Sequence, residues 1–160
     1  MKENRYEEAQ VDVRALVGEI VAEYMPELIN VNIKVLFDVK KRTSRGALVF
    51  SRLQKCNDLL RFLTKDEAGG GEGYDFILYL DKITFNHVDR DDKIRIIRHQ
   101  LRHIEVDIEN PENPYKMVHP DVRDFFIELE LNKHDIRWAE RVSEVAASLY
   151  EAKTEAEAKI

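Results

Sequence analysis

The stretch IIRHQLRHIEVD, residues 96–107, decides how this chain is interpreted, because it places two histidines four positions apart. Apolar residues recur here at helical spacing, so we expect a helix that carries both His99 and His103. Residues four apart lie on the same face of a helix, one turn apart. This is the spacing at which a helix can hold one zinc ion between two imidazoles, and a third ligand must then come from elsewhere.

The helix is expected to begin after Asp89, which can cap it. Its apolar stripe is formed by Ile94, Ile97, Leu101 and Ile104, and the two histidines point well away from that stripe. An alternative to a metal site is a solvent-exposed helix face. Such a face would be completed by nearby arginines at positions 95, 98 and 102.

Three residues after the helix are candidates for the third ligand. We rank His119 first and Asp121 second, because the turn-forming segment before them lets the chain fold back toward the helix. His134 ranks third, since an intervening helix would carry it away. Asp107 lies four positions after His103 and could orient a ligand from the second coordination shell; the alternative is an exposed acid at a helix end.

Gln100 follows the first histidine, at the position where the H-E-x-x-H motif of zinc peptidases has glutamate. That glutamate accepts a proton from the metal-bound water and delivers it to the leaving amine. Glutamine has nearly the same shape but cannot take up a proton at neutral pH. The loss of a general base typically lowers the rate by about 10²–10⁴-fold, whereas metal binding should largely survive.

Four segments, taken together, resemble the phage metallopeptidase family of the zincin-like group. They are RFLT (61–64), DFILYL (75–80), HQLRH (99–103) and HPDVRDF (119–125). The resemblance implies a zincin-like fold, hydrolysis of peptide bonds, and a metal held by His99 and His103 with a third ligand around His119. Pro120 departs from the family pattern and leaves His119 and Asp121 both open as that ligand.

Gln100 also departs from the family pattern, and two interpretations stay open. It is either an introduced substitution that disables the enzyme, or the natural residue of a non-catalytic relative. In both cases the sequence predicts a zinc peptidase that is inactive or impaired. Its substrate would be a peptide or protein lying along the edge of a small sheet.

The composition fits a globular protein of one domain, with 160 residues, 44% hydrophobic and 35% charged. The single cysteine, Cys56, excludes an internal disulfide framework and a cysteine-rich zinc site. We see neither a signal peptide nor an apolar stretch long enough for a membrane span. A cytoplasmic location without membrane contact is therefore expected.

The charge is unevenly distributed along the chain. Residues 34–65 contain nine Lys or Arg against two acids, a local charge of +7. Because the net charge of the whole chain is −6, the other residues together carry −13. This basic segment favours an alternative function, a non-catalytic metal-containing module that binds nucleic acid or an acidic protein. The simpler interpretation is a solvated surface.

The predicted fold is α+β, with a small mixed sheet packed against the helix that carries the histidines and a helical C-terminal part. Helices are expected at 11–25, at 120–132 and from about 135, and strands at 31–39, 46–53 and 74–80. We assign residues 1–147 to the zincin-like domain and residues 148–160 to a charged Ala/Glu/Lys helical tail.

Overall fold

The computed structural model describes residues 3–119 and 124–158. Within these ranges the α-helices are α1 (Val11–Tyr24), α2 (Asp58–Thr64), α3 (Lys82–His87), α4 (Arg90–Leu101), α5 (Phe126–Leu131) and α6 (Trp138–Ala158). The strands are β1 (Tyr6–Glu8), β2 (Ile33–Asp38), β3 (Thr43–Ser44), β4 (Ala47–Leu48), β5 (Ser51–Lys55), β6 (Phe76–Asp81), β7 (Ile104–Val106) and β8 (Tyr115–Met117). The predicted α+β class is confirmed.

The main sheet has four strands in the order β1-β2-β6-β5. Strands β2 and β6 are parallel, whereas β1 and β5 are antiparallel to their neighbours, so the sheet is mixed as predicted. Strand β6 is interior and every one of its residues is buried. Its nearly continuous apolar sequence is thus covered on both faces, as is typical of an interior strand.

The larger hydrophobic core lies between one face of the sheet and helices α1 and α4. Its α1 members, Val13, Leu16, Val17, Ile20 and Val21, recur at helical spacing and meet Phe76, Leu78 and Leu80 of β6. From α4, Ile97 and Leu101 are fully buried in the same cluster. The predicted stripe of α4 therefore faces the core and holds this helix against the sheet.

The strand predicted at 46–53 is wrong as a single element. Arg45 and Gly46 both have positive φ and form a two-residue turn, so residues 47–48 pair back onto β3. Residues 51–55 pair instead with β6. The predicted strand is thus divided between two sheets, and residues 49–50 belong to neither strand.

The helix predicted through His103 ends early, because α4 stops at Leu101. His103 lies in the turn that follows, and its carbonyl accepts a hydrogen bond from the Val118 N–H at 2.7 Å. Strands β7 and β8 form a two-stranded hairpin, and the proline-containing segment 110–114 lies in its loop. Pairing with β8 therefore replaces the last helical turn.

The C-terminal helices differ in extent from those expected. Helix α5 begins at Phe126, and residues 120–123 of the helix predicted at 120–132 lie outside the described residues. The boundary predicted after residue 147 falls within the continuous helix α6 and stays a prediction. Among the described helices, none combines the length and the apolar character needed to cross a bilayer.

Candidate metal centre

Helix α4 positions the first candidate ligand near its C-terminal end. As predicted, the Asp89 side chain caps the helix by accepting a hydrogen bond from the Asp92 N–H at 2.8 Å. The buried stripe fixes the rotation of the helix against the core. As a consequence, His99 and Gln100 emerge beside the first residues of β5.

The two candidate histidines face each other although only one of them is helical. The ring centroids of His99 and His103 are 5.6 Å apart and the rings are nearly perpendicular. Two imidazoles bound to one tetrahedral zinc ion have centroids about 5 Å apart, given Zn–N distances of about 2.0 Å. The Phe125 ring packs against both, with centroids at 5.7 and 5.1 Å. The pair is therefore spaced for a shared ion and has an apolar wall on one side.

Hydrogen bonds fix which nitrogen of each ring is available. The Nδ1 atom of His103 lies 2.7 Å from the Val118 carbonyl oxygen, which can only accept, so Nδ1 donates its proton. The Nδ1 atom of His99 lies 2.6 Å from Asp124 Oδ1, and a carboxylate likewise accepts. In the neutral form of each ring the lone pair is then on Nε2. Imidazoles that ligate metals in proteins are oriented in this way.

Electrostatics support the neutral form of the second ring. Burial lowers the pKa of His103, and this outweighs the opposing effect of its hydrogen bond to Val118. The His103 ring is therefore neutral near pH 7. Metal binding requires that form, since a protonated imidazole has no free lone pair.

The third ligand is not resolved by the described residues. His119 is exposed and directly follows Val118, the residue that holds His103. Asp121 lies outside the described residues, and His134 borders a separate cleft with Tyr24. Within residues 3–119 and 124–158, no three His, Cys, Asp or Glu side chains are grouped to hold an ion. The ranking of His119 before Asp121 as the third ligand therefore stays a prediction.

A carboxylate contacts His99, but it belongs to a residue that our sequence analysis did not single out. Asp124 binds His99 Nδ1 and also accepts a hydrogen bond from the Phe125 N–H at 2.8 Å. Asp107, the predicted second-shell residue, pairs instead with Lys116 at 3.3 Å and accepts from the Glu109 N–H. The signal that could have found Asp124 is the second aspartate of HPDVRDF, next to an aromatic residue.

Gln100 faces the same cavity as the first histidine. Its Nε2 donates a hydrogen bond to Ser51 Oγ at 2.9 Å, which ties the end of α4 to the start of β5. A cavity of about 530 Å³ is lined by Gln100, His99 and Asp124, together with residues 48–51. The residue in the position of the motif glutamate thus lines this cavity beside His99.

Buried ion pairs hold this arrangement together. The Glu128 carboxylate of α5 is fully buried and accepts from Arg98 Nε at 2.7 Å and from Arg102 Nε at 3.0 Å. We call these three residues the ionic interface. It fixes α5, and with it the adjacent Asp124 and Phe125, against the end of α4. The alternative of a solvated helix face completed by arginines does not hold for Arg95 and Arg98, which are buried.

Several side chains of the basic segment 34–65 have partners within the chain. Arg42 pairs with Asp38 at 3.2 Å, and Lys55 donates to the Tyr115 carbonyl at 2.7 Å. The Lys34 ammonium pairs with two carboxylates of neighbouring elements. Binding of nucleic acid or of an acidic protein by this segment stays a prediction.

Comparison with known proteins yields a match to one family, which is described as "Putative phage metallopeptidase". The match runs from residue 4 to residue 150 and so covers well over half of the chain. No curated protein and no solved structure matches the sequence. The extent of the family match confirms the resemblance carried by the four sequence segments, and the chain belongs to the phage metallopeptidase family.

Proposed function

We propose that this protein is a zinc-binding member of its family in which His99 and His103 hold the metal and peptide hydrolysis is impaired by Gln100. The observation that carries the proposal is the pair of facing imidazoles whose Nδ1 atoms are both engaged by oxygen acceptors. Both Nε2 atoms are thereby left as ligands. The donor set, two imidazoles with a nearby His119, is one that zinc accepts.

When bound, zinc would act as a Lewis acid that lowers the pKa of a bound water and polarises a peptide carbonyl. The chain's own residues would have two tasks, to orient the ligands and to exclude water. Asp124 and the Val118 carbonyl would orient the two imidazoles through Nδ1. Phe125, packed on both rings, would exclude water from one side of the centre.

Gln100 would limit the proton transfers. Its amide nitrogen donates to Ser51, so its Oε1 is the atom free to accept a hydrogen bond from water or from substrate. Neither atom can carry a proton from the attacking water to the leaving amine. We therefore expect a rate about 10²–10⁴-fold below that of a form with glutamate at this position.

The substrate would lie along β5. Within the described residues this strand is at the edge of the main sheet, and it pairs only with β6. An extended peptide can add to such an edge through backbone hydrogen bonds. The cavity beside Ser51 and Gln100 would then accept one of its side chains.

The test is the variant Gln100→Glu, compared with the matched surface change Gln10→Glu, after loading with zinc. We expect Gln100→Glu to cleave an unstructured protein such as casein at least about 100-fold faster than the unaltered chain, and Gln10→Glu to leave the rate unchanged. Zinc content should be equal in all three proteins. A Gln100→Glu variant that binds zinc but cleaves neither peptides nor casein would contradict the proposal.

A further inference from the structure

The cavity beside Gln100 extends away from the candidate metal centre along α4. It is bounded by residues 48–51 on one side and by the start of α6 on the other. Its volume of about 530 Å³ falls within the range of about 300–1,000 Å³ that is typical of ligand pockets. Phe50, Ile96 and Trp138 give it apolar and aromatic walls.

One polar side chain in its wall has an unused hydrogen-bond donor. Asn132 is only 3% exposed, and its Oδ1 accepts from Arg98 Nη2 at 2.7 Å. Because a guanidinium can only donate, this bond fixes the orientation of the amide. The remaining donor, Nδ2, is closed to solvent and has no partner among the described residues, so an acceptor reaches it when neighbouring side chains shift. A buried amide donor of this kind favours a ligand that brings an oxygen acceptor.

The charges at the rim add little selectivity. Arg137 and Glu140 also line the cavity, but they pair with each other through two hydrogen bonds of 2.9 Å. The ligand is therefore defined by the aromatic walls and by the unpartnered amide donor of the buried Asn132. A group with an apolar ring and an oxygen at its tip matches both features.

We propose that this cavity receives a tyrosine side chain of the peptide substrate, whose hydroxyl oxygen accepts a hydrogen bond from Asn132 Nδ2. Asn132 would thus determine specificity, selecting tyrosine over phenylalanine. The inference rests on the proposed function, since it assumes that peptides occupy the site beside His99. It adds the substrate class, peptides with a tyrosine next to the cleaved or bound position.

The first experiment measures binding rather than cleavage. Trp138 is the only tryptophan of the chain and lines this cavity, so its fluorescence reports occupancy. The unaltered, zinc-loaded protein is titrated with alanine-rich hexapeptides that differ only in one central tyrosine or phenylalanine. Excitation is set at the red edge of tryptophan absorption, where tyrosine does not absorb. We expect about tenfold tighter binding of the tyrosine peptide, the effect of one hydrogen bond to an otherwise unpaired donor.

A matched pair of variants assigns the effect to Asn132. The change Asn132→Asp keeps an oxygen acceptor for Arg98 but removes the Nδ2 donor, and it should abolish the preference for tyrosine. The change Asn113→Asp, at an exposed asparagine, should leave the preference intact. Urea unfolding of each variant shows whether it is folded. If Asn132→Asp does not fold, the comparison of the tyrosine and phenylalanine peptides on the unaltered chain tests the proposal.

Equal affinity for the two peptides would overturn the proposal, as would a tyrosine preference that persists in Asn132→Asp. Binding that leaves Trp138 unchanged would also overturn it. Asn132 borders a second cleft, with Tyr24 and His134, and such binding would point to that cleft. The two proposals fail separately. A tyrosine preference in binding without cleavage by Gln100→Glu would contradict the enzyme, whereas cleavage that ignores tyrosine would contradict the pocket.

Discussion

The contact between α1 and the main sheet is apolar, whereas the contact between α4 and α5 is made by the ionic interface. Both are buried, since Leu78 of β6 and Glu128 of α5 are each fully inaccessible. Apolar burial is non-directional and scales with the area removed from water. Ion pairs with hydrogen bonds fix distances and angles. We infer that the first contact supplies most of the stability and that the second sets the geometry around His99 and His103.

The largest effect is expected at the ionic interface. The change Glu128→Gln removes the buried charge that Arg98 and Arg102 share, and it leaves two guanidinium groups without a carboxylate. Breaking a buried ion pair costs about 3–5 kcal/mol of unfolding free energy. Urea unfolding measures this loss. The matched control Glu130→Gln, on the same helix but in an exposed pair with Lys133, should change little. Equal losses of unfolding free energy in both variants would contradict the stabilising role of the ionic interface.

A comparable loss of unfolding free energy in the apolar core should leave the zinc affinity of the candidate site unchanged. The change Leu78→Ala creates a cavity at the centre of β6 and should cost about 3 kcal/mol, while the exposed Ile108→Ala should cost little. Zinc affinity, measured calorimetrically under conditions where the variant is folded, should equal that of the unaltered protein. The same measurement on Glu128→Gln should show weaker binding. Equal zinc affinity in the two variants would remove the distinction between the two contacts.

A smaller effect is expected at the carboxylate that orients His99. The change Asp124→Asn weakens the hydrogen bond to Nδ1, and loss of such a partner typically lowers metal affinity about 10–100-fold. Zinc titration in competition with a chelator measures the change. Asp107→Asn is the matched control and should have no effect. The opposite result, with Asp107 needed and Asp124 dispensable, would restore the second-shell role that the sequence predicted for Asp107.

The smallest effect is a pH dependence at Asp38, the last residue of β2. Burial raises the pKa of Asp38, but hydrogen bonds from Arg5, the Lys40 N–H and Arg42 lower it more, so the folded pKa is below the ordinary 3.8. The stabilisation is therefore complete above the unfolded pKa and is lost as the pH falls through the folded one. We expect about 1 kcal/mol, because Arg5 remains about one-third exposed and is screened by solvent.

Urea unfolding of the unaltered protein and of Asp38→Asn, measured between about pH 6 and pH 3, tests this dependence. The difference between the two proteins should shrink as the pH falls. A difference that stays constant or grows toward acid would show that Asp38 is not stabilised as a carboxylate.

Sequence periodicity predicted the apolar half of the fold well, because buried positions on helices and strands repeat at fixed intervals. Helix α1 and strand β6 lie within the ranges predicted for a helix at 11–25 and a strand at 74–80. The early end of α4 was not predictable in this way. It depends on the Val118 N–H reaching the His103 carbonyl, a contact between residues fifteen positions apart.

For the candidate site, the sequence identified the residues whose types and spacing are diagnostic, His99 and His103, and the departure at Gln100. It did not identify Asp124 or Glu128, because acids are common on exposed helix faces and their burial depends on tertiary contacts. The arginines of α4 were misleading for the same reason. Their charge predicts exposure, whereas Arg98 is buried against a carboxylate thirty positions away.

The central claim is that His99 and His103 hold a metal ion, and elemental analysis tests it most directly. The protein is purified without a histidine tag and without chelators, and the zinc content per chain is measured. We predict about one zinc per chain, lost in His103→Ala and retained in His134→Ala. A protein that contains no zinc and takes up none when it is added, or a His103→Ala variant that keeps the full content, would contradict the claim.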